Sequence, residues 1–96
     1  MVYLSMEDYK LLGFRKSQKQ YKKYDAILKN INNDKIKYMP FGDNRFSNFR
    51  DMTGLDLYPE KIHNNNKRRR LYKSRHRHFL KSGFYSPSFF SFFFLW

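Results

Sequence analysis

The sequence predicts a small α+β domain, and three of its features carry that expectation. Two runs of alternating apolar and polar residues flank a loop rich in Asn and Asp. Helix-start and helix-stop residues frame segments further along. A nearly all-aromatic run closes the chain. Together they describe a β-hairpin packed against two or three short helices, with a basic helix near the C-terminus followed by an aromatic segment.

Residues 1–21 read as an N-terminal arm and 22–96 as the domain. Ser5 is a suitable N-cap, with Glu7 and Asp8 in the first turn, Tyr9, Leu11 and Leu12 as an apolar face and Gly13 as a stop. Arg15 to Lys23 is basic and without periodicity, which reads as a mobile arm or linker. The hairpin is expected over 23–41. Tyr24, Ala26 and Leu28 share one face of its first run. Asn30 to Asp34 supply turn formers, Ile36 and Tyr38 share one face of the second run, and Pro40 ends it. A lone hairpin is barely stable in water, so its apolar face must pack on something else.

A helix is expected over 44–53, capped by Asp43, with Phe46, Phe49 and Met52 directed to the core and Gly54 just past its end. Leu55 to Pro59 form a connector. Asn66 is the expected N-cap of the basic helix over 67–80. On that helix Leu71, Arg75 and His78 lie on one side, flanked by Tyr72 and Phe79, and Gly83 stops it. Ser86 and Pro87 start the last segment, 86–96. That segment is apolar all round, which predicts burial in the protein's own core; the alternative is insertion into a partner subunit or a membrane interface.

Ninety-six residues make one small domain with a marginal core. There is no cysteine to staple it, so eleven Phe, eight Tyr and one Trp supply the buried area. The apolar run from Phe89 to Trp96 is interrupted by Ser91 and falls well short of the ~20 residues that span a bilayer. No secretory signal is visible, so a soluble intracellular protein or a component of a larger particle is expected.

The net charge is +12 and unevenly placed. Residues 1–60 hold all eight acids and eleven Lys/Arg, a net +3; residues 61–96 hold nine Lys/Arg and no acid, a net +9. Seven of the twelve residues from Lys67 to His78 are Lys or Arg. Like charges at that density repel, and a polyanion is the obvious counterpart. A solvated face that keeps a Phe-rich chain soluble is the plainer explanation, but solubility does not require 36 residues without an acid. The expected contacts are Lys67, Arg68, Arg69, Arg70, Lys73, Arg75, His76, Arg77 and Lys81, with Tyr72 in support. Lys and Arg would neutralise phosphates and release counterions, without reading bases. The expected partner is nucleic acid, with DNA and RNA not distinguished by these residues. An acidic protein is the alternative partner, in a structural or assembly role that would use the basic helix and the aromatic tail.

No catalytic motif stands out. His76 and His78 cannot share a helical face, no cysteine joins them, and cationic surroundings favour a neutral imidazole. Asp25, Asp34, Asp43, Asp51, Asp56 and Glu60 form no close pair with a nucleophile or at metal spacing. There is no phosphate-cradling Gly loop, nucleophile elbow or zinc pattern. The expectation is a non-enzymatic protein without cofactor. A nuclease using metal would need carboxylates distant in sequence to converge.

Several motifs in order carry a resemblance. They are Lys22-Lys23-Tyr24-Asp25-Ala26-Ile27-Leu28, then Pro40-Phe41-Gly42-Asp43, then Tyr72-x-x-Arg75-His76 after a basic run, then Tyr85-Ser86-Pro87 and Leu95-Trp96. Over residues 22–96 the chain resembles a family of small basic proteins of nucleocytoplasmic large DNA viruses, the mimivirus-like and algal viruses. The resemblance implies a viral setting, in the virion or in the cytoplasm or viral factory of an infected cell, and a genome-associated or virion role, with DNA ahead of RNA as the nucleic acid and acidic capsid or virion proteins as the alternative partners. It brings no catalytic residues. Members of that family often place an Asp between the His and the basic run, where this chain has Asn64, Asn65 and Asn66.

Overall fold

The computed structural model describes residues 3–96. The alternation in the middle of the chain forms the expected hairpin, from β3 (Lys22–Asn30) and β4 (Ile36–Asp43). Its turn is held by side chains: Asn30 Oδ1 accepts from the amides of Asn32 and Asn33, and Asn33 Oδ1 accepts from that of Lys35. Tyr24, Ala26 and Leu28 share a fully buried face, as their spacing predicts.

The second strand is phased differently from expectation. Met39 pairs with Ala26 and Phe41 with Tyr24, so Met39 and Phe41 enter the core while Ile36 and Tyr38 lie on the outer face and stay exposed. One residue of parity moves every side chain to the other side. Pro40 does not end the strand. β4 pairs only with β3, so a residue without an N–H is tolerated there and pairing runs on to Asp43.

The N-terminal arm is also part of the fold, not a helix followed by a linker. β1 (Leu4–Ser5) pairs antiparallel with β5 (Phe84–Tyr85), and β2 (Tyr9–Lys16) pairs antiparallel with β3. The fold is thus α+β, with two antiparallel sheets, ordered β1-β5 and β2-β3-β4. A bulge between Leu11 and Gly13 interrupts the alternation of β2. It resets the alternation so that Tyr9, Leu11 and Phe14 all pack against the core, while Leu12, expected on the helical face, is left exposed. Ser5 caps a turn, its Oγ accepting from the Glu7 amide at 3.2 Å.

No helix forms over 44–53. Asp43 Oδ1 accepts from the Arg45 amide in a local turn, and Asn48 spends its backbone on a parallel bridge to Ile62. Arg50 and Met52 donate their amides to the carbonyls of Leu95 and Phe94. These long-range bonds displace the helical ones and leave Phe46 and Met52 exposed.

Two helices complete the fold. α1 spans Asn66–His76 and tightens into a 3-10 turn at Arg77–Phe79. Its cap is Asn65, one residue before the one expected, whose side chain accepts from the Arg68 amide at 3.0 Å. α2 (Pro87–Phe90) is capped by Ser86 as predicted and continues as a π-helical turn, Ser91–Leu95. Phe90, Phe92 and Leu95 are buried, so the aromatic tail closes the protein's own core. Phe14 meets Phe41, Phe90 and Phe94 edge-on, with ring centres 5.7, 6.0 and 4.8 Å away. Such pairs add ~0.5–1.5 kcal/mol each to the area they bury. Among the described residues, no helix is long and apolar enough to cross a membrane.

Gly42 sits where β4 meets the tail. Its φ is +73°, and a Cβ built on it would lie 2.9 Å from Leu95 Cδ1. Gly54 has a φ of +85° and open space around it. Urea denaturation should therefore show Gly42→Ala destabilising by about 2–3 kcal/mol and Gly54→Ala by about 1 kcal/mol.

Candidate nucleic-acid interface

α1 meets the body of the protein along Arg69, Tyr72, Lys73 and His76, four positions on one helical face. The expected stripe through Leu71 is not the docking face: Leu71 is 51 % exposed. Tyr72 is the anchor. Its ring stacks on Trp96 at 4.2 Å with 4° between planes, and on His76 at 4.0 Å with 17° between planes. Burial pushes the Tyr72 phenol pKa up, opposed by a hydrogen bond with Ser91 and by the charge of Arg75. The His76 Nδ1 is 2.9 Å from the Tyr72 carbonyl.

Two cations take part in docking. Arg69 Nε donates to the backbone oxygen of Trp96 at 2.9 Å, and its guanidinium lies 4.6 Å from the centre of the Phe49 ring. Lys73 Nζ lies 4.9 Å from the centre of the Phe92 ring. Burial lowers the Lys73 pKa, and the charges of Arg69, Arg50 and Arg77 lower it further. Arg50 is a member of this cluster that the sequence did not reveal. It arrives from the irregular 44–63 segment and extends Nη2 to the Phe93 carbonyl at 3.4 Å.

The remaining expected contacts, Lys67, Arg68, Arg70, Arg75, Arg77 and Lys81, are exposed. Arg68 reaches Ser47 Oγ at 3.4 Å, and Lys81 sits over the rings of Phe84 and Tyr3. The described residues contain three ion pairs, Arg15–Asp25, Lys29–Asp34 and Arg45–Asp43, and none involves α1. The first turn of α1 contains no acid, so its cations face the positive end of the helix dipole, while Lys73, Arg75 and His76 suit the negative end.

Beneath α1 lies a buried polar site. Lys23 is 2 % exposed, and its Nζ donates to Asn48 Oδ1. Burial lowers the Lys23 pKa to about 8, against the opposing pull of Asp51. Its neighbour Tyr24 donates its hydroxyl to Asp51 and is pushed up to about 12, chiefly by burial. His63 packs 5.1 Å from Trp96 and accepts from the Asn65 amide on Nδ1 at 2.9 Å. Burial and the charges of Arg68 and Lys23 lower its pKa. Beside this site, a cavity of about 280 Å³ is walled by Tyr72, Trp96 and Phe46, with Lys22, Ser47, Ser88 and Ser91 also lining it.

The carboxylates remain apart. Asp25, Asp34 and Asp43 serve ion pairs, and Asp51 serves Tyr24 and Thr53. Hydrogen bonds from Arg45 hold Asp43 down to about 2. Among the described residues no three His, Asp or Glu side chains are placed to hold a metal ion. Set against protein-family models, curated proteins and solved structures, the chain finds no match in any of the three.

Two predictions follow from this geometry. Tyr72→Ala should destabilise by about 3 kcal/mol because it removes a packed ring from the docking face, whereas Leu71→Ala should stay within about 0.5 kcal/mol; thermal unfolding separates them. The second concerns pH. Between about 8 and 10.5 the unfolded chain keeps the Lys23 proton that the folded protein releases, so stability rises across that window. The gain is on the order of 3 kcal/mol. Tyr24 acts in the opposite sense: its contribution is intact below pH 10 and is lost as pH climbs through about 12. Denaturant midpoints should peak near pH 10, and Lys23→Met should flatten the rise while leaving the fall above pH 10.

Proposed function

We propose that this protein is a non-enzymatic, sequence-independent nucleic-acid-binding protein that contacts phosphates through the outer side of α1 and the turn that follows it. The observation that carries the reading is the set of exposed cations on and after α1, from Lys67 to Lys81, none of which is ion-paired among the described residues. In a folded protein, mutual repulsion among unpaired cations opposes stability, and a polyanion relieves it. Each phosphate neutralised would release condensed counterions, a favourable term that needs no particular base sequence. DNA is the preferred partner. The proposed setting is a large DNA virus, supported by the ordered motifs from Lys22 to Trp96 described above.

Docking divides the candidate residues. Arg69 and Lys73 hold the helix in place and His76 is engaged by Tyr72 within it, so the phosphate contacts are assigned to Lys67, Arg68, Arg70, Arg75, Arg77 and Lys81. Binding of the full chain to a fluorescent oligonucleotide across a salt series tests this. The double variant Arg70→Ala/Arg75→Ala should keep the far-UV spectrum and lower the slope of log K against log salt by about two. Unchanged affinity and slope would sink the proposal.

A further inference from the structure

The loop after β4 and the turn between β2 and β3 together present exposed rings beside the basic helix. Phe46 is 64 % exposed, the largest value of any big apolar side chain among the described residues, and Tyr21 is 47 % exposed. The Arg45 guanidinium lies 4.2 Å from the centre of the Tyr21 ring and 5.6 Å from that of Phe46. Two hydrogen bonds to Asp43, at 3.0 and 2.7 Å, fix that guanidinium and occupy the carboxylate of Asp43. Ser47, next to Phe46, meets Arg68 of α1 at 3.4 Å, which brings the loop to the proposed phosphate contacts.

Phe46 also lines the cavity of about 280 Å³ whose other aromatic walls are Tyr72 and Trp96. That volume lies just under the ~300–1,000 Å³ typical of small-molecule sites, so the space suits one planar group and not an extended ligand. Its surroundings carry Lys22, Arg45 and Arg68, and the one acid on its lining, Asp43, is already paired. An aromatic lining within a cationic frame complements a flat ring attached to phosphates.

We propose that this surface takes an unpaired nucleobase, so that the protein favours single-stranded over duplex nucleic acid. The base stacks on Phe46 and enters the cavity toward Tyr72 and Trp96, and the cations of α1 hold the flanking phosphates. The inference rests on the phosphate-binding reading of α1. A duplex stacks its bases on one another and hides their faces, whereas a single strand offers them to aromatic side chains.

The test compares three fluorescent probes on the full chain: an oligo(dT), an abasic strand of equal length, and a duplex. The abasic strand keeps the phosphates and lacks the bases. Oligo(dT) should bind about tenfold tighter than the abasic strand, and Phe46→Ala should remove that difference. Phe46 is exposed, so the variant should fold, and the wild-type comparison of strands stands without it. Trp96, the only tryptophan, should be quenched by oligo(dT) and not by the abasic strand. Equal binding of the two strands, or tighter binding of the duplex, overturns the inference. If Arg70→Ala/Arg75→Ala still weakens every probe in that case, the phosphate-binding reading survives it. Absence of binding to all three probes at low salt overturns both.

Discussion

The hydrogen bond from the buried Lys23 ammonium to Asn48 Oδ1 is the interaction on which the irregular half of this protein depends. Asn48 is 3 % exposed and satisfies four segments at once. Its side chain takes Lys23 from β3 and donates to the carbonyls of Arg50 and Leu95, and its backbone bonds to Lys61 and His63. The stretch from 44 to 63 has little regular structure of its own to satisfy its backbone. A buried polar network replaces it, and loss of one member would leave others unpaired in a low-dielectric interior. That network also accounts for the outward turn of Phe46, because the residues around it are committed to bonds elsewhere.

The basic helix reconciles charge with docking by dividing its residues. Arg69 and Lys73 cover aromatic surface with their stems and rest their charges near the rings of Phe49 and Phe92. This places cations against a Phe-rich body, where the electrostatic attraction of the ring faces offsets part of the desolvation that lowers the Lys73 pKa. Tyr72, stacked between Trp96 and His76, fixes the rotation of the helix. With that rotation set, Arg70 and Arg75 can only face outward.

The aromatic residues have a double use. A chain of 96 residues without cysteine closes its core with rings from β2, β3, β4 and the tail. Rings left over at the surface, Tyr21 and Phe46 above all, stand next to the Arg45 guanidinium. The same residue type thus supplies stability inside and, in the proposed reading, a stacking surface outside, and burial decides which.

Local chemistry was legible from the sequence alone. The hairpin over 23–41, the helix start at Ser86-Pro87, the extent of the basic helix and the concentration of positive charge all depend on residues close together in the chain. Turn formers, caps and period-two alternation act over a few residues, so they can be read without the fold. The sequence did not reveal which residues of each element face inward. A bulge at Leu11/Gly13 hid β2, one residue of parity sent Met39 and Phe41 inward in place of Ile36 and Tyr38, and bonds from Asn48, Arg50 and Met52 to distant partners cancelled the expected helix. The tertiary structure alone also separated the cations that hold α1 from those left free, and brought Arg50, Lys23 and Phe46 to the same region. Those outcomes are set by contacts between residues far apart in sequence, whose energies exceed the local preferences they override.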